Sequence, residues 1–169
     1  MQTFNDHYEF SCSAATLIEL IQQEGHLEEK HKLLDADIHS QKILVQTDTT
    51  FKTKVARKLR IKDQVPAAVR ALMPEVIILS QEFTWNLVPQ DGEYSGRFRA
   101  WIEGVTGQLD SRLSLYDTET GSCIVGEGTV VVKIPFVGGK VEAMVAENAG
   151  KQFREDLAAV EQLALQQAG

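Results

Sequence analysis

Alternation of apolar and polar positions at the start of the chain sets Phe4, Asp6, Tyr8 and Phe10 on one side and Thr3, Asn5, His7 and Glu9 on the other. A period of two is what a strand with one covered face requires. From Ser13, a residue type suited to capping a helix N-terminus, Leu17, Ile18 and Ile21 recur at helical spacing as far as Glu24-Gly25. Glycine there suits the left-handed residue that closes a helix. A second short helix is expected from His26 to about Leu34.

The period then returns to two. Phe51, Val55 and Leu59 alternate against Lys52, Lys54, Lys58 and Arg60, and Ile38 to Gln46 is the expected hairpin partner through Thr47-Asp48-Thr49. Pro66 and Pro74 bracket Ala67 to Met73, read as a short helix with proline at its first turn, where the missing N–H costs nothing. Four more strands follow: Val76 to Val88, Tyr94 to Glu103, Gln108 to Asp117 and Ser122 to Ile134. The turns between them carry the Gly and Asp residues that tight connections demand, so an antiparallel meander is the economical topology.

After Pro135 and Gly138-Gly139 the spacing changes again. Val141, Val145, Ala149, Phe153, Leu157, Val160 and Leu163 recur at i, i+3/i+4 to the C-terminus. A helix of about 25 residues would span roughly 38 Å, enough to cross the whole sheet. Gly150 at its midpoint is a place where it could bend.

Composition adds bounds. A chain of 169 residues, 43% hydrophobic and 24% charged, fits one globular domain spanning residues 1–169. A net charge of −7 disfavours nucleic acid as a partner, because phosphate backbones are bound by neutralising Lys and Arg. No apolar run approaches the roughly 18 residues needed to cross a bilayer. With no basic-then-apolar leader, a cytoplasmic location is expected, and Cys12 and Cys123 are read as buried free thiols.

Three groups of residues carry the architecture beyond periodicity: Arg57-Lys58-Leu59 followed by Val65-Pro66 and Ala68-Val69-Arg70; Glu82-Phe83-Thr84-Trp85; and Ile134-Pro135-Phe136-Val137-Gly138-Gly139-Lys140-Val141-Glu142. With these, and with the order strand, helix, helix, six strands, long helix, the chain resembles the START-like, birch-pollen-allergen-like and polyketide-cyclase superfamily. More narrowly, it resembles a family of uncharacterised bacterial proteins known as a domain of unknown function. The resemblance implies an α+β helix-grip fold, in which a curved antiparallel sheet of about seven strands wraps the C-terminal helix and two short helices follow the first strand. It also implies a cavity between sheet and helix, used across the superfamily for lipids, sterols, quinones or aromatic polyketides. Function still has to be argued from the site.

Linear motifs offer little chemistry. His26 and His31 stand about 140° apart on a helix, unlike the i, i+4 pair of a zinc site, and are read as part of a solvated face. Gly138-Gly139-Lys140-Val141 lacks the Ser or Thr of a phosphate loop, and Gly126 and Gly128 are read as a bulge or bend that lets the sheet curl. Lys52, Lys54, Lys58, Arg60 and Lys62 form the solvent face of a half-buried strand. No metal and no cofactor is expected.

The remaining candidates are residues that could face a cavity: Tyr8, Phe51, Thr53, Val55, Arg57, Trp85, Trp101, Met144 and Asn148. A few polar groups among apolar ones are what orienting a ligand requires. The leading reading is a non-catalytic binder or carrier of a hydrophobic small molecule. One alternative is a cyclase or dehydratase using Asp6, His7 or Arg57 as acid, base or oxyanion partner. Another is a ligand-responsive interaction module, including a homodimer, presenting Leu72, Met73 or Phe136.

Overall fold

The computed structural model describes residues 1–60, 67–71 and 74–168. Strand β1 (Gln2–Phe10) is followed by helices α1 (Ala14–Ile21) and α2 (His26–Leu34), the hairpin β2 (Ile38–Gln46) and β3 (Thr50–Arg60), and a helical turn α3 (Ala67–Arg70). Then come β4 (Val76–Asn86), β5 (Glu93–Ile102), β6 (Gly107–Asp117), β7 (Ser122–Val132) and the long helix α4 (Gly138–Ala168). The strands form one antiparallel sheet in the order β1-β7-β6-β5-β4-β3-β2. It is a meander whose first strand closes against its last.

The local signals work as the residue types require, with two shifts. The Ser13 hydroxyl caps α1 by accepting from Thr16 N, and Thr47 N bonds Thr50 O to close the first hairpin. Helix α1 nevertheless stops at Ile21, and Gly25 opens α2 as its N-cap instead of closing α1. Of the helix expected over Ala67 to Met73, Ala67–Arg70 is helical, while Leu72 and Met73 lie outside the described residues, as does Lys62.

Register places alternate residues on two faces. On the concave face Phe51 pairs with Trp85, Thr53 with Phe83 and Val55 with Gln81. On the convex face Lys52 pairs with Glu82 at 3.4 Å and Lys54 lies 5.2 Å over the Trp101 ring, so the basic ladder of β3 is an outer, partly neutralised surface.

Helix α4, 31 residues long, lies in the concave face. Phe153 is fully buried there among Phe4, Phe98 and Phe83, with ring centroids 5.9, 5.5 and 6.3 Å away. Two glycines lie at this contact. A Cβ on Gly126 would stand 3.2 Å from Leu113 Cδ2 and 3.6 Å from Phe153 Cζ, and one on Gly150 would stand 3.1 Å from Asp6 Oδ2. Gly126 and Gly128 do not mark a bulge: β7 runs in unbroken register against both β1 and β6, and the register shifts lie in β2. Cys123 is buried, Cys12 is only half-buried, and both are free.

Truncating Phe153 to Ala would remove the ring at the centre of this cluster and is expected to cost about 3–5 kcal/mol. Urea unfolding followed by far-ultraviolet circular dichroism measures it, and a near-neutral result would contradict the described seating of α4.

Candidate functional site

The aromatic cluster fills the middle of the grip and leaves space to one side. A cavity of about 60 Å³ lies there, walled by Phe51 and Thr53 of β3, Phe83 and Trp85 of β4, Leu115 of β6 and Ile124 of β7. Its roof is Leu17, Ile18 and Ile21 of α1 with His26, Leu27 and Lys30 of α2, and its far wall is Asp156, Leu157 and Val160 of α4. Thr53 and Phe83 point into the concavity by register yet keep part of their surface uncovered. The lining is mostly apolar, with its polar groups gathered at one end.

That end is a buried charge cluster. Arg57, on the concave face of β3, donates from Nη2 to Asp156 Oδ1 of α4, and Lys30 Nζ stands 3.7 Å from Asp156 Oδ2. All three side chains are at most 10% exposed. Burial alone would push the Asp156 carboxyl up, but Lys30, Arg57 and His31 outweigh it and hold the group below the ordinary carboxylate range. Beside the pair, His31 Nδ1 donates to Gln41 Oε1 of β2 at 2.5 Å. Burial first, then the Lys30 and His31 charges, lower His26 from 6.5 to about 4, and burial with Lys30 lowers His31 to about 4. Both imidazoles are therefore neutral near pH 7, and the Nε2 atoms of both have no hydrogen-bond partner.

The histidines are thus not on a solvated face. Helix α2 is wedged between the cavity, which His26 lines, α4, which Lys30 meets, and β2, which His31 meets. A helix covered on three sides buries residues that stand about 140° apart. Among the described residues no group of three metal-ligating side chains is assembled.

Of the residues singled out in the sequence, Phe51, Thr53 and Trp85 line the cavity, and Arg57 reaches its polar end through Asp156. Arg57 also lines a polar crevice of about 270 Å³ on the other side, together with Asn148, Lys151 and Gln152. Asn148 itself donates to Met144 O within α4, at 2.9 Å. Val55 and Met144 are buried core beyond the cavity, and Tyr8 packs on Phe10 with ring centroids 4.9 Å apart. Trp101 is corrected outright. It pairs with Ser80 on the convex face, between Lys54 and Arg99, because its position on β5 has the opposite parity to Phe98 and Ala100. Asp6 is bound by Arg154 and His7 is exposed, so neither enters the cavity.

Sequence reasoning passed over Phe83, His26, Lys30 and Asp156. Three of these left a readable signal. Asp156 follows Phe153 by three positions and precedes Val160 by four, a charge on an apolar stripe, and His26 and Lys30 share one helical face at i, i+4.

The element order, the seven-stranded antiparallel sheet and the long helix in its concavity define the helix-grip fold. Within it, the chain belongs to the DUF2505 family of proteins of unknown function, whose model matches residues 7–163. No curated protein sequence matches the chain. A protein from Thermus thermophilus superposes with a TM-score of 0.62 at 14% identity, covering 99% of each chain. The ZhuI aromatase/cyclase from Streptomyces sp. R1128 gives 0.57 at 10% identity over 99% of this chain and 96% of its own. A START superfamily protein from Mycobacterium smegmatis gives 0.52 at 16% identity over 98% and 99%. At such identities these likenesses bear on the fold alone.

Two outcomes test the charge cluster. Asp156→Ala would strand Arg57 and Lys30 without a counter-charge and is expected to cost about 3–5 kcal/mol in chemical unfolding. The unfolded chain takes up the protons of His26 and His31 near pH 6.5, whereas the folded chain takes them up near 4. Stability is therefore complete above about 6.5 and declines as pH falls through that window. Thermal melts from neutral pH downward should show Tm falling over it, and less steeply in a His26→Asn/His31→Asn double variant.

Proposed function

We propose that this protein binds a small, largely apolar molecule in the cavity between α1, α2, the sheet and the C-terminal half of α4. The observation that carries the reading is the inward-facing aromatic wall of Phe51, Phe83 and Trp85 along the cavity, of which Phe83 keeps part of its surface uncovered. Such surface, concave and backed by a few polar groups, is the common form of a small-molecule site. The relatives in fold add a coarse analogy: one is named an aromatase/cyclase and another a START superfamily protein.

At about 60 Å³ the cavity is well short of the roughly 150 Å³ that admits benzene in an engineered core. Binding must therefore enlarge it. Three of its walls are strands and the 31-residue α4; the fourth is the pair of short helices α1 and α2, of 8 and 9 residues, and enlargement on that side has to loosen the Lys30–Asp156 and His31–Gln41 contacts that hold α2. Of the three residues on which an enzyme reading was built, Asp6 and His7 lie outside the cavity, and Arg57 is engaged by Asp156 at its polar end.

The test is titration with N-phenyl-naphthylamine, a neutral apolar fluorophore. Saturable, blue-shifted emission is expected, together with quenching of Trp85 in a Trp101→Phe background, where Trp85 is the remaining indole. Thr53→Phe, which fills the cavity from its own wall, is expected to weaken binding at least about tenfold while leaving the circular dichroism spectrum unchanged. Emission that stays linear in probe concentration, or binding indifferent to Thr53→Phe, would overturn the proposal.

A further inference from the structure

The polar end of the cavity carries one positive charge more than it neutralises. Arg57 and Lys30 share the single carboxylate of Asp156, and Arg57 takes its hydrogen bond. On the side of Lys30 the neighbouring groups are His31 and Gln41, which satisfy each other, and His26, whose imidazole is neutral near pH 7, while Arg57 also borders the polar crevice that carries Asp35, Asp37 and Glu155 beside Lys58, Arg60 and Lys151. The Lys30 ammonium, on a residue 8% exposed, stands 3.7 Å from its anionic neighbour, outside hydrogen-bond range, and the residue lines the cavity. His26 lines it too, with Nε2 buried and unpartnered. Lys30 Nζ, on a side chain 10% exposed, therefore keeps donor positions open to an acceptor, and an anionic one is the strongest partner for them. An alternative explanation, that Lys30 serves only as a second partner for Asp156, leaves both its distance and the orphaned His26 unexplained.

We infer that the cavity selects an amphiphile with a monocarboxylate head, the head lying against Lys30 and His26 and the apolar body along Phe51, Phe83 and Trp85. The inference rests on the proposed binding function and narrows its ligand class. In the tautomer protonated at Nε2, His26 donates one hydrogen bond to the head, and Lys30 donates another with full charge. Thr53 stands on the same lining, with a hydroxyl free to serve a second oxygen. The added anion brings the cluster to electrical balance: two cations, Asp156 and the ligand carboxylate. Aliphatic and aromatic bodies share this head chemistry, and the apolar wall accepts either.

The experiment displaces N-phenyl-naphthylamine with matched pairs that differ only in the head: dodecanoate against dodecanol, and naphthoate against naphthalenemethanol, at a mildly alkaline pH where the acids are ionised. The wild-type chain is expected to prefer the acid of at least one pair by roughly tenfold to a hundredfold, the worth of a charge-assisted hydrogen bond. Which pair shows it identifies the body. Lys30→Met should abolish the preference while leaving the alcohols' affinity unchanged or improved, and Lys30→Arg should retain it. Acids and alcohols that displace the probe equally would overturn this inference while the binding function stands. A probe that does not bind at all would remove the binding function itself. Equal weakening of acid and alcohol by Lys30→Met would show Lys30 to be structural and would also overturn the inference. Should Lys30→Met fail to fold, the wild-type comparison of acid with alcohol decides alone.

Discussion

Phe153 seated against Phe4, Phe83 and Phe98 is the contact on which the rest of this structure depends. It fixes the depth and the rotation of α4 in the concave face, because a ring buried among three others tolerates little displacement in a close-packed core. Gly126 on the sheet and Gly150 on the helix are small positions at this contact, where a methyl group would press on the side chains of Leu113 and Asp6 respectively. Once that depth is set, the neighbours of Phe153 on the helix have no freedom. Asp156 and Leu157, about one turn further on, must face the sheet, one as a buried charge and the other as cavity wall.

A carboxylate forced into the interior has to be met. Arg57 comes from the concave face of β3 and Lys30 from α2, and together they hold Asp156 ionised against the cost of burial. The same cluster fastens the roof of the cavity to its floor, since α2 touches α4 through Lys30 and β2 through His31. An apolar pocket and a concentrated polar end therefore arise from one geometric fact. Beyond the cluster lies the second, polar crevice, and Arg57 faces it while pairing back toward Asp156. This arrangement gives a hydrophobic interior a direction, which a uniformly apolar cavity lacks.

Much of the architecture was legible in the chain. The period-two run of β3, the cap at Ser13, the hairpin at Thr47 and the apolar stripe of α4 each report a local rule, and each element formed within a few residues of its expected ends. Where the reading slipped, a nonlocal partner was the cause. Gly126 and Gly128 looked like a bulge because glycine in a strand weakens pairing, but both keep the ladder register, and a Cβ at Gly128 would run into the backbone of Asp110 and Ser111 on the neighbouring strand. His26 and His31 looked solvated because α2 is polar overall, whereas β2 and α4 cover it.

The candidate site shows the same division more sharply. Sequence by itself determined which residues alternate and which share a helical stripe, and so Phe51, Thr53 and Trp85 were expected on the concave face, where they line the cavity, because parity along a strand is a local property. Trp101 escaped that logic only because the absolute face of β5 depends on its register against β4, and register is set between strands. The meeting of Lys30, Arg57 and Asp156 belongs wholly to the tertiary structure. These residues are separated by long stretches of chain, and only the depth of α4 in the sheet decides that the three charges meet.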